Sequence, residues 1–167
     1  MTPLHILYYG ALDGHNDARL QRVDETLKIA QFDTVFADNI ISELWEKWLL
    51  LSTLGAVCCI ARGNTQQVLR SQGGGSLLQG IFAEVLSVLN ADGYQERPAV
   101  TAKIFETLNN PQAAMTSSMY RDLTQGYEIE ADQVIGDLLV RGARSGVVTP
   151  LLNAVYVNLQ VYLQNRV

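Results

Sequence analysis

The 167-residue sequence is poor in the residues that build metal centres, disulfide frameworks and nucleic-acid surfaces. It has two cysteines, two histidines and 17% charged residues, with a net charge of −5 and a pI near 4.9. An acidic chain without a basic stripe argues against nucleic acid as a partner. Cys58 and Cys59 are adjacent in an apolar run, which is typical of small buried hydrophobes. We therefore expect a reducing, cytoplasmic location.

Metal and nucleotide motifs are also missing. His5 and His15 have no acid or cysteine at ligand spacing, so we assign neither a metal. No G-x-G-x-x-G follows a predicted strand, and the glycines at 73–75 are a weak signal. The apolar run at 49–60 is about a dozen residues long, against about 20 for a bilayer span. It predicts a buried core helix and no membrane association.

The 48% of hydrophobic residues is enough for one compact domain, or for a domain with a fragment of another. Within the first forty residues, 4–10 and 32–37 have strand composition and 18–31 have helical spacing. Strand, helix, strand is half of an α/β sheet. Two short strands are marginal alone, so we expect a larger sheet that is absent or supplied by a partner.

From Asp38 onward the sequence predicts six to eight helices and almost no strands. Asp38 or Asn39 is a candidate N-cap for a long helix that is apolar on nearly all sides. The run at 72–76 is interpreted as a flexible break. Local signals mark the other boundaries, with prolines in first turns and glycines at helix ends: Pro98, Pro150, Gly93 and Gly146.

Lys47 is the first candidate for chemistry, because two tryptophans and several aliphatic residues surround it in the sequence. Loss of hydration there would lower the pKa of its ammonium toward the range useful for proton transfer. Two ordinary roles compete with this one. The lysine can extend its charged end into water, or it can pair with Glu43 four residues earlier.

Glu130 belongs to a group of acids around a predicted helix start, together with Glu128, Asp132 and Asp137. Acids in a first turn stabilise the helix dipole, and this is the ordinary interpretation. The same position would also allow Glu130 to hold the charge and orientation of a nearby lysine.

Hydroxyl groups precede the short helix that begins near residue 118. Thr116, Ser117 or Ser118 can cap it, which is the commoner role, or a serine can bind a small carboxylate. Asp122 lies one turn after Ser118 on the same helix face, where it can point to solvent or to a pocket.

Five segments together resemble the ketopantoate reductase family, specifically its helical C-terminal domain. They are "LDG" near the start, "LWEKW" at 44–48, "SSMYRDL" at 117–123, "EIEADQVIG" at 128–136 and "GVVTPLLNAVY" at 146–156. The resemblance implies a mainly α fold, a helical bundle similar to the C-terminal domain of 6-phosphogluconate dehydrogenase. Residues 39–167 would form the substrate-binding and catalytic domain. Residues 1–38 would be a β-α-β remnant of an NADP-binding Rossmann domain.

The resemblance also implies a reaction and residue roles. Hydride passes from NADPH to the ketone of a 2-keto acid, Lys47 donates a proton to the alkoxide, and Glu130 positions Lys47. Ser118 would bind the substrate carboxylate, and Asp122 would support the same site. No residue of this chain is assigned to the cofactor.

Three positions depart from the family pattern. Leu51, Gly55 and Met115 stand where the family usually has asparagines. Loss of three polar contacts predicts poor binding of the hydroxylated substrate ketopantoate, because polar recognition contributes orders of magnitude to selectivity. We therefore expect a family member that acts on another 2-keto acid.

The five segments do not include the dinucleotide-binding half of the family's enzymes. That half is the partner that we expect to be missing. Without it we expect no bound cofactor and no catalysis by these residues alone. Apolar surface exposed by its absence favours self-association into a homo-oligomer. A helical interaction module that derives from this family and has lost catalysis is the competing interpretation.

Overall fold

The computed structural model describes residues 6–15, 17–29 and 32–166. Leu4, His5 and Ala30, which the sequence predictions include, lie outside the described residues, and so does any role of His5. The elements follow the order β1 (Ile6–Tyr9), α1 (Ala18–Leu27), β2 (Asp33–Phe36), α2 (Ile40–Ala61), α3 (Thr65–Arg70), α4 (Gly74–Ala91), α5 (Pro98–Leu108), α6 (Ser118–Thr124), a π-helix (Asp132–Gly136), α7 (Asp137–Ser145) and α8 (Pro150–Asn165). The prediction of a mainly α fold with a short β-α-β segment is confirmed.

The chain divides into two compact units, Met1–Trp45 and Glu46–Val167, with the division inside α2. We refer to them as the first and second units. The predicted domain boundary at 38/39 falls a few residues earlier and stays a prediction.

The first unit contains a parallel pair of strands. β1 and β2 pair from Ile6 opposite Asp33 to Tyr9 opposite Phe36, and the rings of Tyr9 and Phe36 lie 5.6 Å apart. The Tyr9 hydroxyl donates to Asp24 on α1. No described residue of α1 is buried, so this unit has little core of its own.

The second unit contains a continuous apolar core. α4 packs against α3, α7 and α8, and the carboxylate of Glu84 on α4 accepts the backbone N–H groups of Leu151 and Leu152 at 3.0 and 2.9 Å. This contact satisfies two amides at the start of α8 that the helix itself cannot pair. The largest fully buried side chains all belong to this unit, and they include Leu49, Leu78, Ile81, Leu89, Leu108, Ile135, Leu138, Leu152 and Leu159.

Most of the helix boundaries that local chemistry predicts are confirmed. Asn39 accepts the N–H of Ser42 at 3.1 Å at the start of α2. Pro98 and Pro150 occupy the first positions of α5 and α8. Gly146 ends α7 with a φ of 71°, a left-handed conformation that suits glycine.

The predicted flexible break at 72–76 is wrong. Gly74 already belongs to α4, and a Cβ there would lie 1.8 Å from the carbonyl oxygen of Val68. Gly73 has a φ of 81°. These glycines allow a close corner between α3 and α4, because no other residue fits the backbone contact.

The long helix predicted after Asp38 or Asn39 is confirmed as α2, which has 22 residues and includes the apolar run at 49–60. It is the one described helix long and apolar enough to cross a membrane by length and composition, and 56% of its most apolar window is buried inside the chain. A mostly buried apolar helix is typical of a protein core.

Candidate active site

Lys47 lies on an exposed stripe of α2. Its side chain is exposed, as is that of Leu51 one turn later, so the expectation that Lys47 is dehydrated is wrong for this structure. The flanking tryptophans are on other faces of the helix, because neighbours in sequence point about 100° apart. In the described part of the chain, the Lys47 ammonium has no hydrogen bond or ion pair.

Trp48 connects α2 to the segment that follows Glu130. Its indole Nε1 donates to the carbonyl oxygen of Val134 at 3.3 Å, across 86 residues of sequence. Val134 is inside the π-helix Asp132–Gly136, which begins two residues after Glu130. The helix carrying Lys47 is therefore fixed against the turn that follows Glu130.

The π-helix is held on a second side by Tyr156 of α8. The Tyr156 hydroxyl donates to Asp132 at 2.8 Å, and this bond raises the pKa of Tyr156. A Cβ at Gly136 would meet the Tyr156 ring at 3.2 Å. Sequence patterns predicted an uninterrupted helix here, and no local signal announces the wider turn, which is frequent at functional sites. The Glu130 side chain itself is exposed.

The two serines at the start of α6 differ in burial and in hydrogen bonding. Ser117 is buried and its Oγ accepts the N–H of Tyr120 at 3.0 Å, so Ser117 is the cap. Ser118 is exposed, and its hydroxyl has no hydrogen-bond partner among the described residues. Asp122 is half-buried on the same helix. The structure thus assigns capping to Ser117, and substrate binding by the exposed Ser118 stays a prediction.

Gly55 brings α2 and α6 together. A Cβ at Gly55 would lie 2.8 Å from the Met119 Cε and 3.8 Å from the Ser117 Oγ. Met119 itself is buried. The first residues of α6 therefore pack against α2 at Gly55, two turns after Lys47 and one turn after Leu51.

These contacts bring three of the predicted elements to one region of the second unit. α2 carries Lys47, the start of α6 carries Ser118, and the turn before the π-helix carries Glu130. Lys47 and Glu130 form no ion pair in the described part of the chain. The arrangement presents an ammonium, a hydroxyl and a carboxylate from adjoining elements.

Glu46 is a charged residue that sequence reasoning missed. It is buried, and its carboxylate accepts Arg97 Nε at 2.6 Å and the Tyr94 hydroxyl at 3.0 Å. Arg97 Nη2 makes a further ion pair with it. Since Arg97 is 51 residues away, no spacing rule could have identified the pair. It stabilises the junction of α2 with the segment before α5.

The two cysteines have no role in this site. Burial raises the pKa of the Cys58 thiol to about 11 and that of Cys59 to about 12. Both therefore stay protonated at neutral pH, and both are free. A protonated, buried thiol is neither a nucleophile nor a metal ligand.

The helical fold and its site region match one family of proteins. The family model described as ketopantoate reductase PanE/ApbA C terminal matches residues 39–163. The chain belongs to this family, as the sequence resemblance predicted.

Individual relatives agree with that assignment. An uncharacterized oxidoreductase of Bacillus subtilis, YkpB, is 25% identical over 158 residues, covering 95% of this chain and 52% of its own length. The PanE/ApbA family ketopantoate reductase of Ralstonia eutropha superposes with a TM-score of 0.84 at 18% identity, over 99% of this chain and 53% of that chain. D-mandelate dehydrogenase with NADH and anilino(oxo)acetate superposes with a TM-score of 0.79 at 20% identity, over 95% of this chain and 52% of that chain. The chain thus spans about half the length of the proteins it matches.

Proposed function

We propose that this chain is the substrate-binding and catalytic helical domain of a nicotinamide-dependent 2-keto acid reductase. The observation that carries the proposal is the convergence of α2, α6 and the π-helix through the Trp48–Val134 and Gly55–Met119 contacts. Family membership supports the same reaction class.

Lys47 is the proton donor in this proposal. A reduced nicotinamide, when bound, supplies the hydride for the C2 ketone. The ketone oxygen gains negative charge as the carbon is reduced, and Lys47 delivers the proton that completes the hydroxyl group. The Lys47 ammonium also stabilises the developing alkoxide electrostatically.

Glu130 and Ser118 orient the reaction partners. The Glu130 carboxylate sets the position of the Lys47 ammonium when substrate is present. Ser118 donates its exposed hydroxyl to the carboxylate of the keto acid. Asp122, one turn later on α6, keeps the surroundings of the Ser118 hydroxyl polar.

The cofactor belongs to another part of the assembly in this proposal. The sequence has no dinucleotide-binding motif, and no residue described here is assigned to the nicotinamide. NADPH is the cofactor that the family resemblance implies, and the D-mandelate dehydrogenase structure contains NADH. The dinucleotide-binding half is the partner, in a cytoplasmic, homo-oligomeric enzyme.

Ligand titration by NMR tests the substrate site without the other half. The isotope-labelled chain is titrated with 2-oxobutanoate, and we expect saturable shifts at the Ser118 amide, the Glu130 carboxyl and the Lys47 side chain. Butanoate is the matched ligand that lacks the ketone, and it should shift Ser118 while leaving Lys47 unchanged.

Variants show whether these shifts report the proposed contacts. Ser118→Ala should abolish the Ser118 response, while Ser87→Ala, an exposed serine on α4, should leave it intact. Lys47→Met should weaken keto acid binding more than butanoate binding. Shifts spread over the surface and unaffected by both site variants would contradict the proposal and favour the non-catalytic interaction module.

A second experiment addresses the cofactor. NADPH or NADH added to the chain should give no saturable change in nucleotide fluorescence, because the binding loop for the phosphates is elsewhere. Tight binding of either nucleotide by this chain would overturn that part of the proposal.

A further inference from the structure

Leu51 is an exposed apolar side chain beside Lys47. It is one turn after Lys47 on the same face of α2, and 43% of its surface is exposed. Lys47 and Gly55 are eight residues apart, which is about 12 Å along the helix axis. The start of α6, with Ser117 and Ser118, is at the Gly55 end of this distance. Leu51, between these two points, therefore presents its exposed side chain to a ligand that Lys47 holds.

Gly55 offers this ligand no polar group. The space in which a side chain at position 55 would begin is taken by the Met119 methyl, 2.8 Å from an ideal Cβ. Ser117 is next to the same point, but its Oγ already accepts the Tyr120 N–H. The Leu51 isobutyl group is therefore the side chain that this part of α2 offers beside Lys47, because Gly55 is buried under Met119.

Met115 does not restore polarity. Its backbone N–H donates to Thr65 Oγ1 at 3.0 Å, and its carbonyl accepts the Thr65 N–H at 3.0 Å and the Cys58 Sγ at 3.7 Å. Only its thioether side chain remains for contacts, and that group is apolar and adaptable.

From these contacts we propose that the site takes 2-keto acids whose side chain beyond C2 is apolar, a statement that rests on the proposed function above. The ketone oxygen faces Lys47, the carboxylate faces Ser118, and the remainder of the acid packs on Leu51. A hydroxyl on that remainder would lose water without gaining a partner, which weakens binding.

Two ligands that differ by one hydroxyl test the proposal. They are 3,3-dimethyl-2-oxobutanoate and its 4-hydroxy derivative, ketopantoate, and both are titrated into the labelled chain with the Lys47 and Ser118 signals as the readout. We expect the hydroxyl-free acid to bind about tenfold to a hundredfold tighter, the range for a hydroxyl placed against an apolar wall. The Leu51→Asn variant should reduce or invert this ratio.

Val157→Asn is the matched control, because Val157 is an exposed apolar residue on α8, a helix that carries none of the proposed site residues. It should leave the ratio unchanged. Equal affinity for the two acids, with no effect of Leu51→Asn, would overturn this inference while leaving the proposed function intact. If neither acid shifts the Lys47 and Ser118 signals, the proposed function itself fails.

Discussion

The two units of this chain are stabilised by different means. In the first unit, apolar residues of the strands are exposed, including Ile6, Leu7, Tyr8 and Val35, and no residue of α1 is fully buried. In the second unit, leucines and isoleucines with no exposed surface come from several helices. The difference indicates that residues 46–167 hold a self-sufficient core, whereas the parallel strands require more sheet for stability.

The largest expected effect comes from truncating one leucine in each unit. Leu138→Ala, at a fully buried position of α7, should lower the free energy of unfolding by about 2–5 kcal/mol. Leu27→Ala, half-buried in α1, should cost about 1 kcal/mol or less. Urea denaturation with amide exchange measures both, and equal costs would remove the contrast between the units.

Ion pairs allow the same comparison. Arg97→Met leaves the buried Glu46 carboxylate with Tyr94 as its remaining named partner, and should destabilise by about 3 kcal/mol, the lower end for a broken buried pair. Lys28→Met in the first unit removes a pair whose lysine is 67% exposed, which should cost about 0.5 kcal/mol. Thermal unfolding of the two variants measures both losses of stability. A mild effect of Arg97→Met would show that the Glu46 charge is well hydrated.

Local signals predicted much of the fold because they act within a few residues. Asn39, Pro98, Pro150 and Gly146 each satisfy or remove a backbone group of their own helix, so their roles follow from sequence. Lys47 shows the limit of such signals. Its tryptophan neighbours suggested burial, but exposure depends on which helix face meets the core.

Features that need distant partners could not be predicted. The glycine at position 74 fits the Val68 carbonyl, Glu46 meets Arg97, and the π-helix is fixed by Trp48 and Tyr156. The predicted site residues came from family motifs, and only the tertiary contacts show that their elements adjoin.

Glycine substitutions test how closely the second unit is packed at the corner between α3 and α4. Gly74→Ala places a methyl group against a backbone carbonyl, and we expect a loss of about 2 kcal/mol from overpacking. Gly75→Ala meets no atom within 4 Å, and should be neutral or stabilising by about 0.5 kcal/mol. Chemical denaturation distinguishes the two. Equal tolerance would mean that the corner between α3 and α4 is flexible after all.

The smallest expected effect is the loss of stability at acidic pH. The Arg141 hydrogen bond, followed by that of Arg144, holds the pKa of Asp92 below its ordinary value of 3.8. This stabilisation is present above pH 3.8 and is lost as the pH falls through the lower, folded-state pKa. Asp92→Asn should therefore be less stable than the native chain at pH 6, and the gap should close in acid. The exposed Glu106→Gln variant serves as the control, and a gap independent of pH would contradict the assignment.

Carbodiimide cross-linking most directly tests the claim that the Lys47 and Glu130 elements adjoin. The chain has three lysines, Lys28, Lys47 and Lys103, so an amide between an ammonium and a carboxylate can be assigned by mass spectrometry of tryptic peptides. We predict a Lys47–Glu130 amide that is lost in Lys47→Met and retained in Lys103→Met. Amides joining Lys47 only to acids of its own helix would contradict the account.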